Sequence, residues 1–325
     1  MRQSLTALCG KFIENRDVVK AVFSWDSAYM HPICAAIITD KGMRADEERL
    51  KHCRDMLKEN TGVFSDFRGT AKIAVIAMMS AHHDPAGKLQ LAQQAHSELK
   101  EHFWNSPYLP VAAMIISDMV EPARFAQVAQ RTRRIYELMK SEHPFLTSGE
   151  DSVFAAMLAL GNTTEEWIVE ETERCYRMMK EKFHSGNAVQ SLSHVLALCE
   201  GNTEEKCTAV ASLYDELKAR GWRYGTEYEL PTLGVLAALP VSQEELVQDL
   251  IDTAEFLGTQ KGYGVLGATK KQRLMHAGML VTCDRISLGR DMTAAAIQGS
   301  IALVAAQQAA MCAAIAASSA AASAN

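Results

Sequence analysis

The sequence predicts an all-α fold: about seven helical hairpins of roughly forty residues, arranged as an α/α toroid or a curved α-solenoid, plus an Ala-rich C-terminal helix. Three observations predict it. Hydrophobic residues make up 48% of the 325, yet aromatics only 7%, a balance that suits Ala- and Met-rich helices over sheets. Small-residue apolar segments recur at a near-constant interval. Helix-capping signals recur at the same interval.

The apolar segments read, in order, HPICAAII, KIAVIAMM, YLPVAAMII, DSVFAAMLAL, SLSHVLAL, PTLGVLAAL and RLMHAGMLV. Aligned on Ala36, Ala77, Ala113, Ala156, His194, Gly234 and Gly278, they step by 41, 36, 43, 38, 40 and 44 residues. Each follows a polar, charged helix and a short aromatic or Gly/Pro/Ser segment. The polar helices are amphipathic: Phe125, Val128, Thr132, Ile135 and Met139 fall on one stripe, as do Cys207, Val210, Tyr214 and Leu217, and Leu246, Leu250, Ala254 and Leu257. Their starts carry capping boxes at Thr163 with Glu166, Asn202 with Glu205 and Ser242 with Glu245, 39 and 40 residues apart. The second helices instead place Ala or Gly at contact positions, which predicts an inner layer of closely approaching helices inside an outer, polar layer. Residues 1–290 are expected to form this helical-repeat domain, and 291–325 an uncharged tail.

The tail, MTAAAIQGSIALVAAQQAAMCAAIAASSAAASAN from Met292, is long enough for a single helix. It is expected to cap or line the stack. A membrane is not expected as a partner, and this tail is the sole candidate for an anchor, with Gln307 and Gln308 interrupting it. The N-terminus lacks a signal-peptide pattern, and eight scattered cysteines without a C-x-x-C pair suit a reducing, cytoplasmic location. With 33 basic and 39 acidic residues, net charge −6, the chain lacks the basic footprint of nucleic-acid binding.

Equivalent slots across hairpins supply the candidate site. Five residues before each anchor stand His31, Lys72, Tyr108, Asp151, Val189, Glu229 and Arg273, with Gln190 one step on. These open otherwise apolar helices, and in a curved stack they converge on the centre. Arg68, Glu150, Asn187, Lys271, Ser191, Ser193, His194 and His276 thicken the cluster. One reading makes the ring a set of interior salt bridges. The other makes it a binding face for a small polar molecule or peptide, with Arg68, Lys72, Glu150, Asn187, Gln190, Lys271, Arg273 and His31 as ligand contacts. An enzymatic alternative, hydrolase or lyase in type, uses Asp151, Glu229 or His194 for proton transfer while Arg273, Lys72 or Arg68 hold an anion. The feature that separates these readings is a water-reachable pocket in which a carboxylate lacks a strong cationic partner; if every ring charge is paired and closed off, neither reading keeps its site and an external interaction surface remains.

Other constellations are weak. Asp151 with Glu229 resembles a glycosidic acid pair, but the aromatic platforms Trp25, Trp104, Trp222 and Tyr263 are few. His82, His83 and Asp84 read as a solvated helix end beside Pro85, and no metal or cofactor is expected. GYGVLG at 262–267 lacks the strand a dinucleotide loop needs. RTRRIYELMK reads as the wet face of a polar helix.

FRGTAK, HPFLTSGEDSVFAA, SGNAVQSLSHVLAL, YELPTLGVLA and KKQRLMHAGMLV together resemble an uncharacterised bacterial family, domain of unknown function 4003, over most of the chain. The resemblance implies a bacterial, Firmicutes-type cytosolic protein, and it carries over no catalytic residue.

Overall fold

A computed structural model describes residues 1–264, 267–289 and 314–315. Fourteen α-helices run through them, with no strand among the described residues. The polar, amphipathic helices are α1 (Gln3–Val22), α3 (Glu47–Glu59), α5 (Pro85–Lys100), α7 (Phe125–Glu142), α9 (Glu165–Lys182), α11 (Thr203–Ala219) and α13 (Gln243–Gly258). Alternating with them are the apolar helices α2 (Met30–Asp40), α4 (Lys72–Ser80), α6 (Leu109–Met119), α8 (Asp151–Ala159), α10 (Gly186–Leu198), α12 (Leu230–Ala237) and α14 (Lys270–Gly289).

Helix starts follow local side-chain chemistry. Asp46 accepts from the Arg49 N–H at 2.7 Å, Asp84 from Ala86 and Gly87 at 3.1 and 3.0 Å, and Asn202 from Glu204 at 2.8 Å. Ser242 caps the Glu245 N–H at 3.3 Å, as its capping-box spacing requires. His82, His83 and Asp84 are thus part of the α5 start, His82 bonding the Asp84 backbone. α9 opens at Glu165, one residue later than a Thr163 cap predicts, within the usual slack of helix ends.

Contacts divide the chain into two compact units. One holds Lys11–Glu165 with Ala314 and Ile315; the other holds Met1–Gly10 with the described part of Glu166–Ala313. In the first, α2 packs on α4, α4 on α6 and α6 on α8, while α3, α5 and α7 each pair with the apolar helix that follows. In the second, α10 packs on α12 and α12 on α14, with α11 against α12 and α13 against α14. The apolar helices bury nearly every side chain; all nine residues of α8 are buried. The polar helices bury one stripe, which for α7 includes Phe125, Val128, Thr132, Ile135 and Met139. Small residues let the apolar helices approach closely: a Cβ on Gly234 would lie 2.6 Å from Leu192 Cδ1, and one on Gly278 2.9 Å from Leu236 Cδ1.

The far ends of the apolar helices are closed by side chains from polar helices. Asn15 Nδ2 donates to Thr39 Oγ1 (2.9 Å) and the Met43 carbonyl (3.1 Å) beyond α2. Arg49 Nε donates to the Ser80 carbonyl at 2.7 Å at the end of α4. Lys88, buried, bonds Ser117 Oγ (2.8 Å) and Asp118 Oδ1 (2.5 Å) on α6. Lys206 bonds the Leu196 and Cys199 carbonyls at 2.9 and 3.1 Å at the end of α10. Cations placed there satisfy orphan carbonyls and oppose the negative end of the helix dipole. The seven described cysteines, Cys9, Cys34, Cys53, Cys175, Cys199, Cys207 and Cys283, are buried free thiols. Of the expected Ala-rich tail, Ala314 and Ile315 are helical and buried; the rest lies outside the described residues, as does Cys312.

Candidate functional site

The predicted slots do fall at the first turns of the apolar helices, where their exposure differs: Lys72 is exposed, and Tyr108 and Arg273 are half-buried. His31, Asp151, Gln190, His194 and Glu229 are buried, and Val189 is a core residue. An apolar helix covered on every side leaves polar capacity only where its first turn meets the preceding loop.

In the first unit most of these groups are used structurally. His31 Nε2 lies 3.0 Å from the Phe23 carbonyl, and burial pulls its pKa down, so the neutral ring donates that bond. Lys72 pairs with Asp26 at 2.9 Å and is exposed. Arg68 fastens the end of α3 through the Lys58 carbonyl (2.5 Å) and Thr61 Oγ1 (3.2 Å). Asp151 Oδ2 accepts from the Ser148 N–H at 2.7 Å; burial nevertheless pushes its carboxyl up to about 7. Burial also raises Glu150, and burial with the Glu150 charge raises Tyr108.

The second unit assembles a different arrangement around Glu229. α11 ends in a Schellman motif: Gly221, at φ +82°, lets its N–H reach the Lys218 carbonyl (3.0 Å) and the Trp222 N–H reach Leu217 (2.8 Å). The turned chain delivers Trp222, Tyr224 and Gly225. Glu229 stands just before α12, whose Pro231 suits a first turn. Its side chain folds back, Oε2 accepting from the Glu227 N–H at 3.3 Å. A Cβ on Gly225 would lie 2.2 Å from the Glu229 carboxyl carbon, so a side chain there would push the carboxyl out of its present position. Burial raises the Glu229 pKa; backbone N–H bonds and the Lys271 charge oppose that without reversing it.

Two hydroxyls lie nearby on the α12–α14 seam. Tyr224, 1% exposed, and Thr232, 2% exposed, make no hydrogen bond through Oη or Oγ1 to any described residue. A Cβ on Gly278 would lie 3.1 Å from both Tyr224 Oη and Thr232 Cγ2. At the start of α14, Gln272 closes a capping box with Thr269 (2.8 and 3.2 Å) and donates to Tyr228 Oη at 2.7 Å. The Arg273 guanidinium lies 5.5 Å from the Trp222 ring centroid, in space that Gly258 leaves open. His276 Nδ1 lies 2.9 Å from Tyr263 Oη.

Within this unit, then, Glu229, Thr232, Gln272 and Arg273 come to neighbouring first turns. Lys271 and Asn187 are exposed, and Ser193 is spent on the Gln190 carbonyl at 2.8 Å. Asp151 belongs to the other unit, so neither unit by itself forms the two-carboxyl glycosidic arrangement. Sequence reasoning passed over Tyr224, whose only signal is an aromatic residue followed by glycine at a hairpin turn. Among the described residues no group of three or more His, Cys, Asp or Glu could hold a metal ion, and no helix is long and apolar enough to cross a membrane.

The chain belongs to the family described as Protein of unknown function (DUF4003), whose model matches residues 15–309. It is similar to the "Uncharacterized protein YeaA" of Bacillus subtilis (strain 168), at 22% identity over 237 residues, covering 71% of this chain and 70% of that protein. No solved structure matches it.

Proposed function

We propose that this protein is a cytoplasmic binding protein built as a curved stack of seven helical hairpins, toroidal or open. It holds a small polar molecule at the first turns of α12 and α14. The observation that carries this reading is Glu229: a buried carboxyl with no ion pair among the described residues, beside two buried hydroxyls, Tyr224 and Thr232, that have no described hydrogen-bond partner. Orphaned buried donors cost stability, about 1–3 kcal/mol each, and a ligand that accepts from them recovers it. The three groups suit a neutral polyol or amide. Arg273 and Trp222 form a planar cation and ring at the edge. The same buried acid is what proton-transfer catalysis requires, so turnover of a bound polyol or amide is the second reading.

Differential scanning of the full chain with a panel of uncharged polyols and primary amides tests the proposal. One compound class is expected to raise the melting temperature of wild type and not that of Glu229→Gln or Tyr224→Phe. A ligand at a hundred times its Kd stabilises by about 2.7 kcal/mol. Tyr224→Phe is expected to leave the unliganded protein as stable as wild type or more so. A marked loss of stability in Tyr224→Phe, together with no shift from any compound, would show that the hydroxyl serves the fold alone.

A further inference from the structure

Four loops lead into the apolar helices of the first unit, and they touch in series. The first, residues 23–29, meets the start of α4 through the Asp26–Lys72 pair at 2.9 Å. The second, 60–71, meets the third, 101–108, where a Cβ on Gly69 would lie 3.0 Å from Pro107 Cβ. The third meets the fourth, 143–150, where a Cβ on Gly149 would lie 3.3 Å from Ser106 Oγ. The four loops therefore share one end of this unit.

Each carries a large aromatic side chain with almost nothing against it: Trp25 is 100% exposed, Phe64 97%, Trp104 92% and Phe145 99%. They recur at intervals of 39, 40 and 41 residues, the same slot in four successive hairpins. In each loop a close neighbour, Phe23, Phe67, Phe103 or Thr147, is buried. That anchor fixes the loop and leaves the other ring in water. One bare aromatic is ordinary, but four brought to one edge are not.

The exposure decides what they meet. A ring that serves as a platform for a sugar or a slot for a peptide has one face packed on its own protein; here both faces of every ring are free. Polar residues, Ser24, Ser27, Ser65, Asn105 and Ser148, surround the tips, and two further exposed apolar side chains, Val63 at 74% and Tyr29 at 48%, stand in the same loops. Four acids, Asp26, Asp66, Glu101 and Glu150, stand against two cations, Arg68 and Lys72, a balance that gives no attraction to a polyanion. Spikes of Trp and Phe on polar loops match the boundary between headgroups and acyl chains, where aromatic side chains concentrate.

We propose that Trp25, Phe64, Trp104 and Phe145 form a membrane-docking edge that inserts into the interface of a lipid bilayer through apolar contact. The inference is independent of the ligand reading at α12.

Flotation of the full chain with large unilamellar phosphatidylcholine vesicles, at 0.1 and 0.5 M NaCl, tests it. Wild type is expected to float equally at both salt concentrations. Trp25→Ser with Trp104→Ser is expected to bind at least tenfold more weakly, and the fourfold serine variant not to float, while melting temperatures stay unchanged because these rings touch little. Brominated lipid is expected to quench wild-type Trp emission and to quench the double variant, which keeps Trp167 and Trp222, less. A wild type that does not float, or a fourfold variant that floats as well, overturns the proposal. So does binding that needs phosphatidylglycerol and vanishes in salt. A wild-type dimer that the fourfold variant converts to monomer, without flotation, assigns the edge to a second copy of the chain instead.

Discussion

Replacing Lys206 with Met is expected to cost about 3–5 kcal/mol. The ammonium makes three hydrogen bonds, to Glu171 Oε1 at 2.7 Å and to the Leu196 and Cys199 carbonyls at 2.9 and 3.1 Å. Its side chain is 6% exposed and that of Glu171 3%. Without it, Glu171 keeps the Thr203 hydroxyl (2.7 Å) and Arg174 (2.9 Å). The Arg174 side chain is half in water, so it screens rather than replaces the lost charge. Burial alone would raise the Glu171 pKa, but the Lys206 and Thr203 hydrogen bonds and the neighbouring cations bring it below its ordinary value. A depressed carboxylate contributes stability above its unfolded pKa and loses it as pH falls through the folded one. The variant's deficit is therefore expected to be largest at pH 7 and to shrink as pH falls and the stranded Glu171 carboxyl takes up a proton. Urea unfolding of wild type, Lys206→Met, Glu171→Leu and the double variant measures it. The double variant is expected to recover most of the loss, because two apolar side chains leave no stranded charge. A Lys206→Met deficit under about 1 kcal/mol, or a double variant no better than the sum of the singles, would refute the reasoning.

The Asp151 carboxyl, pushed up to about 7 by burial, binds its proton more tightly folded than unfolded. Wild-type stability is therefore expected to decline from about pH 4 to pH 7 and level off above, by at most about 4 kcal/mol. Asp151→Asn should flatten that slope, and parallel urea midpoints for the two proteins between pH 5 and 8 would contradict it. Gly278→Val adds atoms where Leu236, Thr232 and Tyr224 already lie about 3 Å from an added Cβ. It is expected to lose about 1–3 kcal/mol by overpacking, read by thermal melting; wild-type stability in that variant would mean that α12 and α14 are not in close approach.

Much of the secondary structure was legible because period and capping are local. Every stripe residue read on α7 and α13 is buried, as are Cys207, Val210 and Leu217 on α11, while Tyr214 is only partly so. The glycines at 234 and 278 do mark close helix contacts. The slot argument located first turns correctly, placing Lys72 and Asp151 as opening residues of α4 and α8 and Glu229 just before α12. Alignment gives a residue's place along a helix but not what covers that helix, which is why the buried reading and the open one both stand on the sequence alone. The Arg68 and Lys72 cations went to Lys58 and Asp26, partners that no spacing rule singles out. Tyr224 and the side chains closing the ends of α2, α4, α6 and α10 depend on contacts made after folding. Phe64 and Phe145 shared a visible period with Trp25 and Trp104, but a sequence does not reveal that a ring is bare.

The buried thiols make the chain its own stopwatch. Burial pushes Cys9 and Cys199 up to about 12 and raises Cys34 and Cys53 as well, so an alkylating reagent at neutral pH must wait for each to be uncovered. Cys34 and Cys53 keep time for one unit, and Cys9, Cys175, Cys199, Cys207 and Cys283 for the other. Labelling rates taken cysteine by cysteine would therefore rank the helices by how readily each lets go, without a single added probe.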